Sequence, residues 1–291
     1  MLKNAIVRSD SFKIVRIPKT VVNSVVLPRV TPPKADEMIN LLLLLFINIL
    51  ESNNHKVVLS LYDYTGVACI PWAERGYQCY CYDIQHDDSK ITRFDSGGAI
   101  YYINADLHER EQVLSIMNAF YALDTVFAMA FPVCTDMAVS GAAHFKSKAL
   151  KDPDFQTKAV KYAKWCAEIF EDLRVPYYVE NPVSVLATQW RKPDHRFHPY
   201  QYGGYIQQGD AMHPLYPDYI APRDAYKKQT CLWVGGGFVM PPMVPVDPEQ
   251  YHGNGYNTAT MKLGGTSART KNIRSATPRG FAEAAMLHNA V

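Results

Sequence analysis

Short apolar runs alternate with amphipathic stretches through the first two thirds of the chain. Runs rich in Val, Ile, Tyr and Phe predict buried strands, and apolar residues recur at helical spacing over 155–173. Strands that alternate with helices are typical of a mostly parallel sheet covered on both faces. We therefore predict an α/β, doubly wound fold. Its strands are predicted at 57–61, 77–82, 99–103, 125–131 and 175–179, with a further helix over 107–121.

The alternation is absent at both ends of the chain. Residues 1–34 predict an extended arm or edge strands, and 34–51 predict a helix. The apolar run at 39–50 is shorter than the ~20 residues of a membrane span, so we interpret it as a packing helix. Residues 190–270 are rich in Pro, Gly, Tyr and His, which predicts loops with few strands. A last helix follows, with Thr277 as its predicted N-cap and Pro278 in its first turn.

Composition and charge exclude few classes of function. The chain has 291 residues and a formal net charge of +2, so a contact with nucleic acid would depend on a local basic patch. Its six cysteines form no CxxC pair and show no zinc-site spacing. From this pattern we expect no metal site and a reducing, cytoplasmic compartment.

Two predicted strands end in residues that can do chemistry. The run 125–131 breaks at Pro132 and is followed by Cys134, and the strand at 175–179 is followed by Glu180 and Asn181. Ligands of open α/β sheets bind at this edge, so a thiol and a carboxylate could face one pocket. The alternatives are a cysteine that fills the core and a carboxylate that caps a helix.

The first half of the chain is typical of a nucleoside site. A tight turn, Tyr62 to Gly66, follows the first strand, while Asp83 and Asp106 end the second and third strands. An acid in that place can bind ribose hydroxyls. No GxGxxG motif is present to hold a pyrophosphate, which favours a nucleoside without phosphates, such as S-adenosylmethionine. Alternatively, both acids only cap helices.

Taken together, these motifs resemble those of the DNA cytosine-C5 methyltransferases, and especially their phage-type members. The motifs Phe131-Pro-Val-Cys134 and Glu180-Asn-Pro182 stand where that family has its nucleophile and its acid. The segment 59–66 is similar to the family's cofactor loop, and 83–85 to its ribose-binding acid. The resemblance covers about residues 56 to 286. It implies a Rossmann-like methyltransferase fold, S-adenosylmethionine as cofactor and DNA, single- or double-stranded, as partner.

The resemblance also implies roles for particular residues. Cys134 would attack C6 of cytosine and Glu180 would contact N3 and the 4-amino group, while Asn181 and Arg191 would position the base or a phosphate. Basic residues between 227 and 279 could follow the phosphate backbone, unless they form an ordinary solvated surface. The cofactor-binding residues implied are Tyr62, Asp63, Thr65, Gly66, Asp83, Ile84, Asp106, Leu107 and Pro132.

On this interpretation the chain has four parts. They are an N-terminal arm and packing helix (1–54), a catalytic domain that binds S-adenosylmethionine (55–189), a substrate-recognition region (190–270) and a C-terminal helix (271–291). The sequence departs from the family in having Val133 directly before the cysteine, fewer glycines in the cofactor loop and only a compact recognition region.

Other functions stay open at this point. The acceptor could be a free deoxycytidine nucleotide or RNA, because a compact recognition region favours a small substrate. The chain could also be a degenerate methyltransferase fold that binds DNA or a protein without turnover, or an enzyme with a folate or modified one-carbon donor. A phage origin would place it in the host cytoplasm, with no membrane contact expected. The N-terminal arm and the apolar helix could build a dimer.

Overall fold

The strands of the structure lie close to the apolar runs that predict them. The structure, a computed structural model, describes residues 53–87, 90–252, 263 and 267–291. The predicted arm and apolar helix before residue 51 therefore lie outside the described residues. The described strands are β1 (Lys56–Leu61), β2 (Gln78–Asp83), β3 (Ile91–Arg93), β4 (Ala99–Asn104), β5 (Asp124–Ala130), β6 (Tyr177–Pro182), β7 (His195–Phe197) and β8 (Thr230–Gly235).

These strands form one sheet in the order β3-β4-β2-β1-β5-β6-β8-β7. Its five central strands, β4, β2, β1, β5 and β6, run parallel. Strand β8 is antiparallel to β6 and to β7, and β3 is antiparallel to β4. The predicted α/β, mostly parallel, Rossmann-like class is confirmed. The chain moves outward from β1 through β2 and β4, then returns to β5 on the other side of β1, and this reversal creates a crevice at the strand ends.

Helices cover both faces of the sheet. Val113, Phe120 and Phe170 pack on one face, while Trp72 and Phe281 pack on the other, and all five are buried. The longest helix spans Phe155–Leu173, as the apolar spacing predicts. The described helices are α1 (Ile70–Ala73), α2 (Arg110–Tyr121), α3 (Phe145–Ala149), α4 (Phe155–Leu173), α5 (Leu186–Gln189), α6 (Glu249–His252), α7 (Ala268–Ser275) and α8 (Arg279–Asn289).

Strand β6 differs from its prediction. It starts at Tyr177 and continues to Pro182, so that Glu180 lies within the strand and not after it. The reason is pairing with β8, which places Glu180 opposite Leu232 and Asn181 opposite Cys231. The partner strand satisfies the backbone of residues that lack the apolar pattern of a buried strand. Local pattern alone therefore ends β6 too early.

The last helix starts one residue later than predicted. Its N-cap is Pro278, while Thr277 is buried just before it. The first-turn amide of Gly280 donates to the carboxylate of Asp224 at 2.9 Å, so the helix end is satisfied by a distant loop. The preceding helix, α7, has a local cap, because the hydroxyl of Ser267 accepts from the amide of Thr270. A cap supplied by tertiary contact is invisible in the local sequence.

The chain from residue 51 onward forms one compact unit. The predicted recognition region contributes β7 and β8 to the central sheet. Its backbone is therefore hydrogen-bonded to that of the predicted catalytic part, through the pairing of β8 with β6. Among the described residues, no helix combines the length and the apolar character needed to cross a membrane.

Candidate active site

Cys134 lies in a tight turn just beyond the end of β5. The turn is a 3-10 helix over Cys134–Asp136, and the amides of Met137 and Ala138 donate to the Cys134 carbonyl oxygen at 3.0 and 2.8 Å. The ammonium group of Lys148 on α3 binds the turn from outside, through the Thr135 carbonyl and the Asp136 carboxylate. Cys134 is partly exposed, whereas the other five cysteines are buried. It is therefore the thiol that a substrate can reach.

Glu180 lies on the neighbouring strand, where Val179 pairs with Ala130 of β5. Its Oε1 atom is buried and has no hydrogen-bond partner among the described residues. Burial raises the pKa of the Glu180 carboxyl, and the positive charge of Lys228 offsets part of that rise. A buried carboxyl oxygen without a partner is rare, and it is suited to a ligand that supplies the missing hydrogen bond.

The thiol and the carboxyl lie close enough for one charge to act on the other. Burial raises the pKa of Cys134, the negative charge of Glu180 raises it further, and Lys228 and Lys271 lower it. Lys228 is fixed by a 2.9 Å hydrogen bond from its ammonium group to the carbonyl of Arg274, at the end of α7. The arrangement thus places one thiol, one carboxyl and two lysines around a common region.

The turn after β5 is joined to the last residues of β6 and to the segment that follows them. The Asn181 amide nitrogen donates to the Pro132 carbonyl at 2.8 Å, and its Oδ1 atom is buried without a partner among the described residues. The amide of Val139 donates to the carbonyl of Val183 at 3.0 Å. These contacts tie the turn that carries Cys134 to the strand that carries Glu180.

Exposed apolar side chains surround this junction. Val133, Val139 and Val183 are each more than a third exposed, although all three belong to the two joined segments. An apolar rim next to a partly exposed thiol suits a flat aromatic ligand. Apart from noting that Val133 precedes the cysteine, sequence reasoning missed this rim, because the valines are adjacent only in the folded chain.

Arg191 is not brought to this junction. Its guanidinium pairs with Asp194 at 2.5 Å and donates to the Val234 carbonyl at 3.1 Å. Val234 pairs with Tyr178, two residues before Glu180 on β6, which corresponds to roughly 7 Å along the strand. The contacts of Arg191 therefore lie further back along the sheet, and its place in the site stays a prediction.

The buried side chain of Asp63 holds the loop after β1 by hydrogen bonds. The buried Asp63 carboxylate accepts hydrogen bonds from the Gly66 amide at 2.8 Å, the Ser60 hydroxyl at 2.9 Å and the Thr65 hydroxyl at 3.3 Å. Burial outweighs these bonds and raises the Asp63 pKa to about 7. Gly66 has φ +67°, and a Cβ atom there would lie 2.7 Å from the Tyr102 hydroxyl oxygen, so only glycine fits.

Tyr62, Asp83 and Asp106 converge in front of this loop. The Tyr62 hydroxyl donates to the Leu107 carbonyl at 3.4 Å. Its pKa is raised by burial first, and the charges of Asp106 and Asp83 add to the rise. Tyr62 has φ 57°, a left-handed conformation that is uncommon away from glycine and that occurs at functional loops.

The two acids close turns and cap no helix. One oxygen of Asp83 accepts from the Gln85 amide at 2.8 Å, and one oxygen of Asp106 accepts from the His108 amide at 3.0 Å. The N-cap of α2 is Glu109, so the interpretation of Asp106 as a helix cap is wrong. Ile84, directly after Asp83, has an exposed side chain. An acid beside an exposed apolar residue can bind a ribose and an adjoining base.

The two groups of residues share one edge of the sheet. The loops that carry them follow β1, β2, β4 and β5, and the carboxyl ends of parallel strands lie on the same side. The amide of Phe131 donates to the Leu61 carbonyl at 3.0 Å, so the loops after β1 and β5 diverge just beyond this point. Pro132 stands between the groups, with its carbonyl bound to Asn181.

Comparison with known proteins adds a weak likeness. No family model matches the chain, and no curated protein matches it. The crystal structure of a protein proposed to be a DNA modification methyltransferase, encoded within an Escherichia coli prophage, aligns with 66% of this chain at 11% identity and a TM-score of 0.36. This chain spans about half (53%) of that structure. A likeness at that level carries no argument, so the function has to be argued from the residues themselves.

Proposed function

We propose that this protein transfers a methyl group from S-adenosylmethionine to C5 of cytosine in DNA. One observation carries the proposal: a partly exposed thiol, Cys134, stands beside a buried carboxyl, Glu180, whose Oε1 lacks a partner among the described residues. A thiol nucleophile and an unpaired acid are what a pyrimidine ring needs if it is to be attacked at carbon and held at nitrogen.

The residues of the first half fit S-adenosylmethionine. Asp83 ends β2, next to the reversal of strand order, where a ribose can reach its carboxylate. Asp106 and the exposed side chain of Ile84 stand beside it and suit an adenine amino group and an adenine face. Bound there, S-adenosylmethionine supplies an electrophilic methyl group. No phosphate has to be held, which agrees with a loop that contains a single glycine, Gly66.

Cys134 starts the reaction. Its thiolate forms a bond to C6 of the cytosine, and the electron pair of the C5–C6 double bond shifts into the ring. C5 becomes enamine-like and would then bond to the methyl group, while the methyl–sulfur bond of the donor breaks and its electron pair leaves on the sulfur of S-adenosylhomocysteine. The C5 proton then leaves to a base, the C6–S bond breaks with its electrons returning to sulfur, and the aromatic ring is restored. Burial and the charge of Glu180 raise the pKa of Cys134, and Lys228 and Lys271 offset part of that rise and so favour the thiolate.

Glu180 stabilises the charge that this attack places on the ring. Burial raises the pKa of the Glu180 carboxyl, which favours its protonated form as a donor to ring N3, and the same group can accept a hydrogen bond from the 4-amino group. Its place within β6, between β5 and β8, fixes the acid while the base approaches. The valine rim would contact the flat faces of a base that has left its stack, a step that costs a few kcal/mol in a duplex.

The test measures 5-methylcytosine directly. The full chain is incubated with methyl-labelled S-adenosylmethionine and duplex DNA, single-stranded DNA, RNA or deoxycytidine monophosphate, and the products are digested and analysed. We expect label in 5-methylcytosine from DNA, and none after Cys134→Ala. Label only in the free nucleotide or in RNA would change the acceptor, and methylation at normal yield by the alanine variant would exclude the thiol mechanism.

A trapping experiment tests the covalent step separately. In an oligonucleotide that contains 5-fluorocytosine, fluorine cannot leave C5 as a cation, so the chain should remain bonded to the base. We expect a stable adduct that mass spectrometry places on Cys134. Cys231→Ala is the matched control, because Cys231 is buried on β8 and should leave the adduct unchanged. An adduct on another residue, or none alongside active methylation, would contradict the mechanism.

A further inference from the structure

Three buried thiols and a buried carboxylate meet behind the loop that follows β1. The sulfur atoms of Cys69 and Cys81 are 3.3 Å apart, and the Cys81 sulfur is 3.9 Å from Oδ2 of Asp63. The ligand atoms of these three residues all lie within 4.8 Å of one another. The thiol of Cys79 adjoins them and donates to the Cys69 carbonyl at 3.6 Å. The proposed methyl transfer assigns no chemical step to any of the four.

Backbone geometry brings these side chains together. Cys79 and Cys81 alternate on β2 and so point to the same face of the sheet, while Cys69 ends the turn Val67–Cys69 that packs on that face. All three cysteines have zero exposure. The spacing along the chain, nine residues and then one, matches no common zinc motif, which is why the sequence predicts no metal here.

A cysteine that only fills the core is the commonest kind of buried cysteine. Two observations distinguish this cluster from that case. The thiols approach one another and a carboxylate, and Asp63 has no lysine or arginine partner within salt-bridge distance among the described residues. A buried carboxylate is costly without a compensating charge, and a cation between it and the sulfurs would supply one.

The spacing also suits a particular class of ion. Zinc binds sulfur at about 2.3 Å and carboxylate oxygen at about 2.1 Å, so tetrahedral coordination places two sulfurs about 3.8 Å apart and a sulfur and an oxygen about 3.6 Å apart. The sulfur–sulfur separation of 3.3 Å and the sulfur–oxygen separation of 3.9 Å each lie within about half an ångström of those values. The other carboxylate oxygen of Asp63 is occupied by the Gly66 amide, and the Ser60 hydroxyl holds Oδ2, as an outer-shell group orients a ligand.

We propose that Asp63, Cys69 and Cys81 form a structural site for a thiophilic divalent cation of the zinc class, with the thiol of Cys79 beside it. Each coordinating thiol releases its proton to solvent as its sulfur binds the ion. The ion would join the loop after β1 to β2 and so fix the position of Gly66. The proposal goes beyond the proposed function, because it concerns how the loop is stabilised whatever that loop binds.

The first experiment uses the unaltered full chain. Protein purified without chelator is analysed for metal, then stripped by a chelator under reducing conditions and titrated with Co²⁺. We expect close to one equivalent of zinc in the purified protein. Cobalt should give thiolate-to-metal charge-transfer absorption and the visible bands of tetrahedral coordination, both abolished by added Zn²⁺. Absence of these bands in correctly folded protein would overturn the proposal.

Variants then assign the ligands. Cys69→Ser and Cys81→Ser should each lose the charge-transfer absorption, and Asp63→Asn should weaken binding while keeping it. Cys166→Ala is the matched control, because Cys166 is equally buried but lies on α4, with its thiol bonded to the Tyr162 carbonyl. Full retention of cobalt absorption by both serine variants would overturn the assignment.

The same cluster has one competing chemistry, a disulfide between Cys69 and Cys81. Protein alkylated without prior reduction distinguishes the two, since thiols held by a metal react once the protein is unfolded with chelator and a disulfide does not. A Cys69–Cys81 disulfide in the isolated protein would exclude the metal site. None of these measurements uses DNA or a methyl donor, so the metal site and the proposed function can fail independently.

Discussion

The side-chain amide of Asn181 donates a hydrogen bond of 2.8 Å to the carbonyl oxygen of Pro132. The bond is buried, since Asn181 is only 1% exposed, and it joins the end of β6 to the turn that carries Cys134. Backbone pairing between β5 and β6 ends at Ala130 and Val179. Beyond that point, this side chain helps to set the distance between the thiol and the carboxyl of Glu180.

Asn181→Ala should therefore affect both stability and turnover. It leaves a buried carbonyl unsatisfied, which we expect to cost about 1–3 kcal/mol in the free energy of unfolding. Turnover should fall while affinity for S-adenosylmethionine is kept, because Asn181 directly follows Glu180 on β6 and lies away from Asp83 and Asp106. Denaturant unfolding, single-turnover methylation and calorimetry give the three values. Gln189→Ala, an exposed residue on α5, is the control. Unchanged turnover would show that the bond does not position the thiol.

Lys228→Met should slow chemical modification of Cys134. Lys228 lowers the pKa of both Cys134 and Glu180, so its removal raises both and reduces the thiolate fraction at a given pH. The rate of alkylation by iodoacetamide, followed across pH by mass spectrometry, should shift to higher pH. Cys134 can be followed selectively because the other cysteines are buried.

The matched control for that experiment is Lys161→Met. Lys161 lies on α4 and its ammonium group stands over the ring of Trp165, so its removal should leave the alkylation profile in place. Equal shifts in the two variants would mean that net charge, and not the position of Lys228, controls the thiol.

Glu180→Gln should change how stability depends on pH. The pKa of Glu180 is raised in the folded chain, so folding favours the protonated carboxyl. The wild-type chain then loses stability as pH rises from the ordinary glutamate pKa through the raised one, and a glutamine escapes that loss. Relative to wild type, the variant should gain free energy of unfolding as the pH rises above 4.5, the ordinary glutamate value, with little difference below it.

Other buried acids do not affect this difference in stability between the variant and the wild type. The pKa values of Asp63 and Asp224, raised by burial to about 7 and about 6, act in the same direction in both proteins and cancel in the difference. The variant should also alkylate faster at Cys134, because the charge of Glu180 raises the pKa of that thiol. If Cys134 is alkylated faster while methylation is lost, the acid is needed for a reason other than the reactivity of the thiol. A stability difference that does not vary with pH would contradict the raised pKa.

Gly66→Ala should destabilise the chain and abolish the binding of S-adenosylmethionine by the loop after β1. The left-handed conformation alone costs about 1–2 kcal/mol for alanine. The contact with Tyr102 adds an overpacking cost of about 1–3 kcal/mol. Gly97→Ala is the control, because Gly97 also has a positive φ of +87° but nothing lies within 4 Å of a Cβ atom there. Unfolding curves should therefore show a larger loss of unfolding free energy for Gly66→Ala than for Gly97→Ala. Equal losses would mean that the Tyr102 side chain moves away from the added Cβ atom.

The sequence predicts those parts of the fold whose reasons are local. The helix Phe155–Leu173 has its apolar residues at regular spacing, and the parallel strands are continuous apolar runs. The extension of β6 through Glu180 depends on β8, a strand some fifty residues away along the chain. The cap of α8 depends on Asp224 in the same way. Neither partner can be recognised from the residues that it completes.

The residues of the candidate site also differ in whether the local sequence predicts them. Cys134 and Glu180 can be proposed from sequence, because both stand where predicted strands end. Lys228 has no local signal that separates it from the other lysines of the chain, and only the fold brings its charge to the thiol. Arg191 can be named from its motif, but only the fold shows that Asp194, three residues away, pairs with its guanidinium.

The acid and the thiol differ in how they are anchored. Glu180 lies within a strand that has a neighbouring strand on each side. Cys134 lies in a short turn that Lys148 and Asn181 hold by side-chain contacts. In the proposed mechanism, the sulfur is therefore the atom that moves to adjust the spacing, and it approaches a carboxyl that the sheet holds in place. The turn would then set the rate of attack, and the sheet would set which edge of the ring is bound.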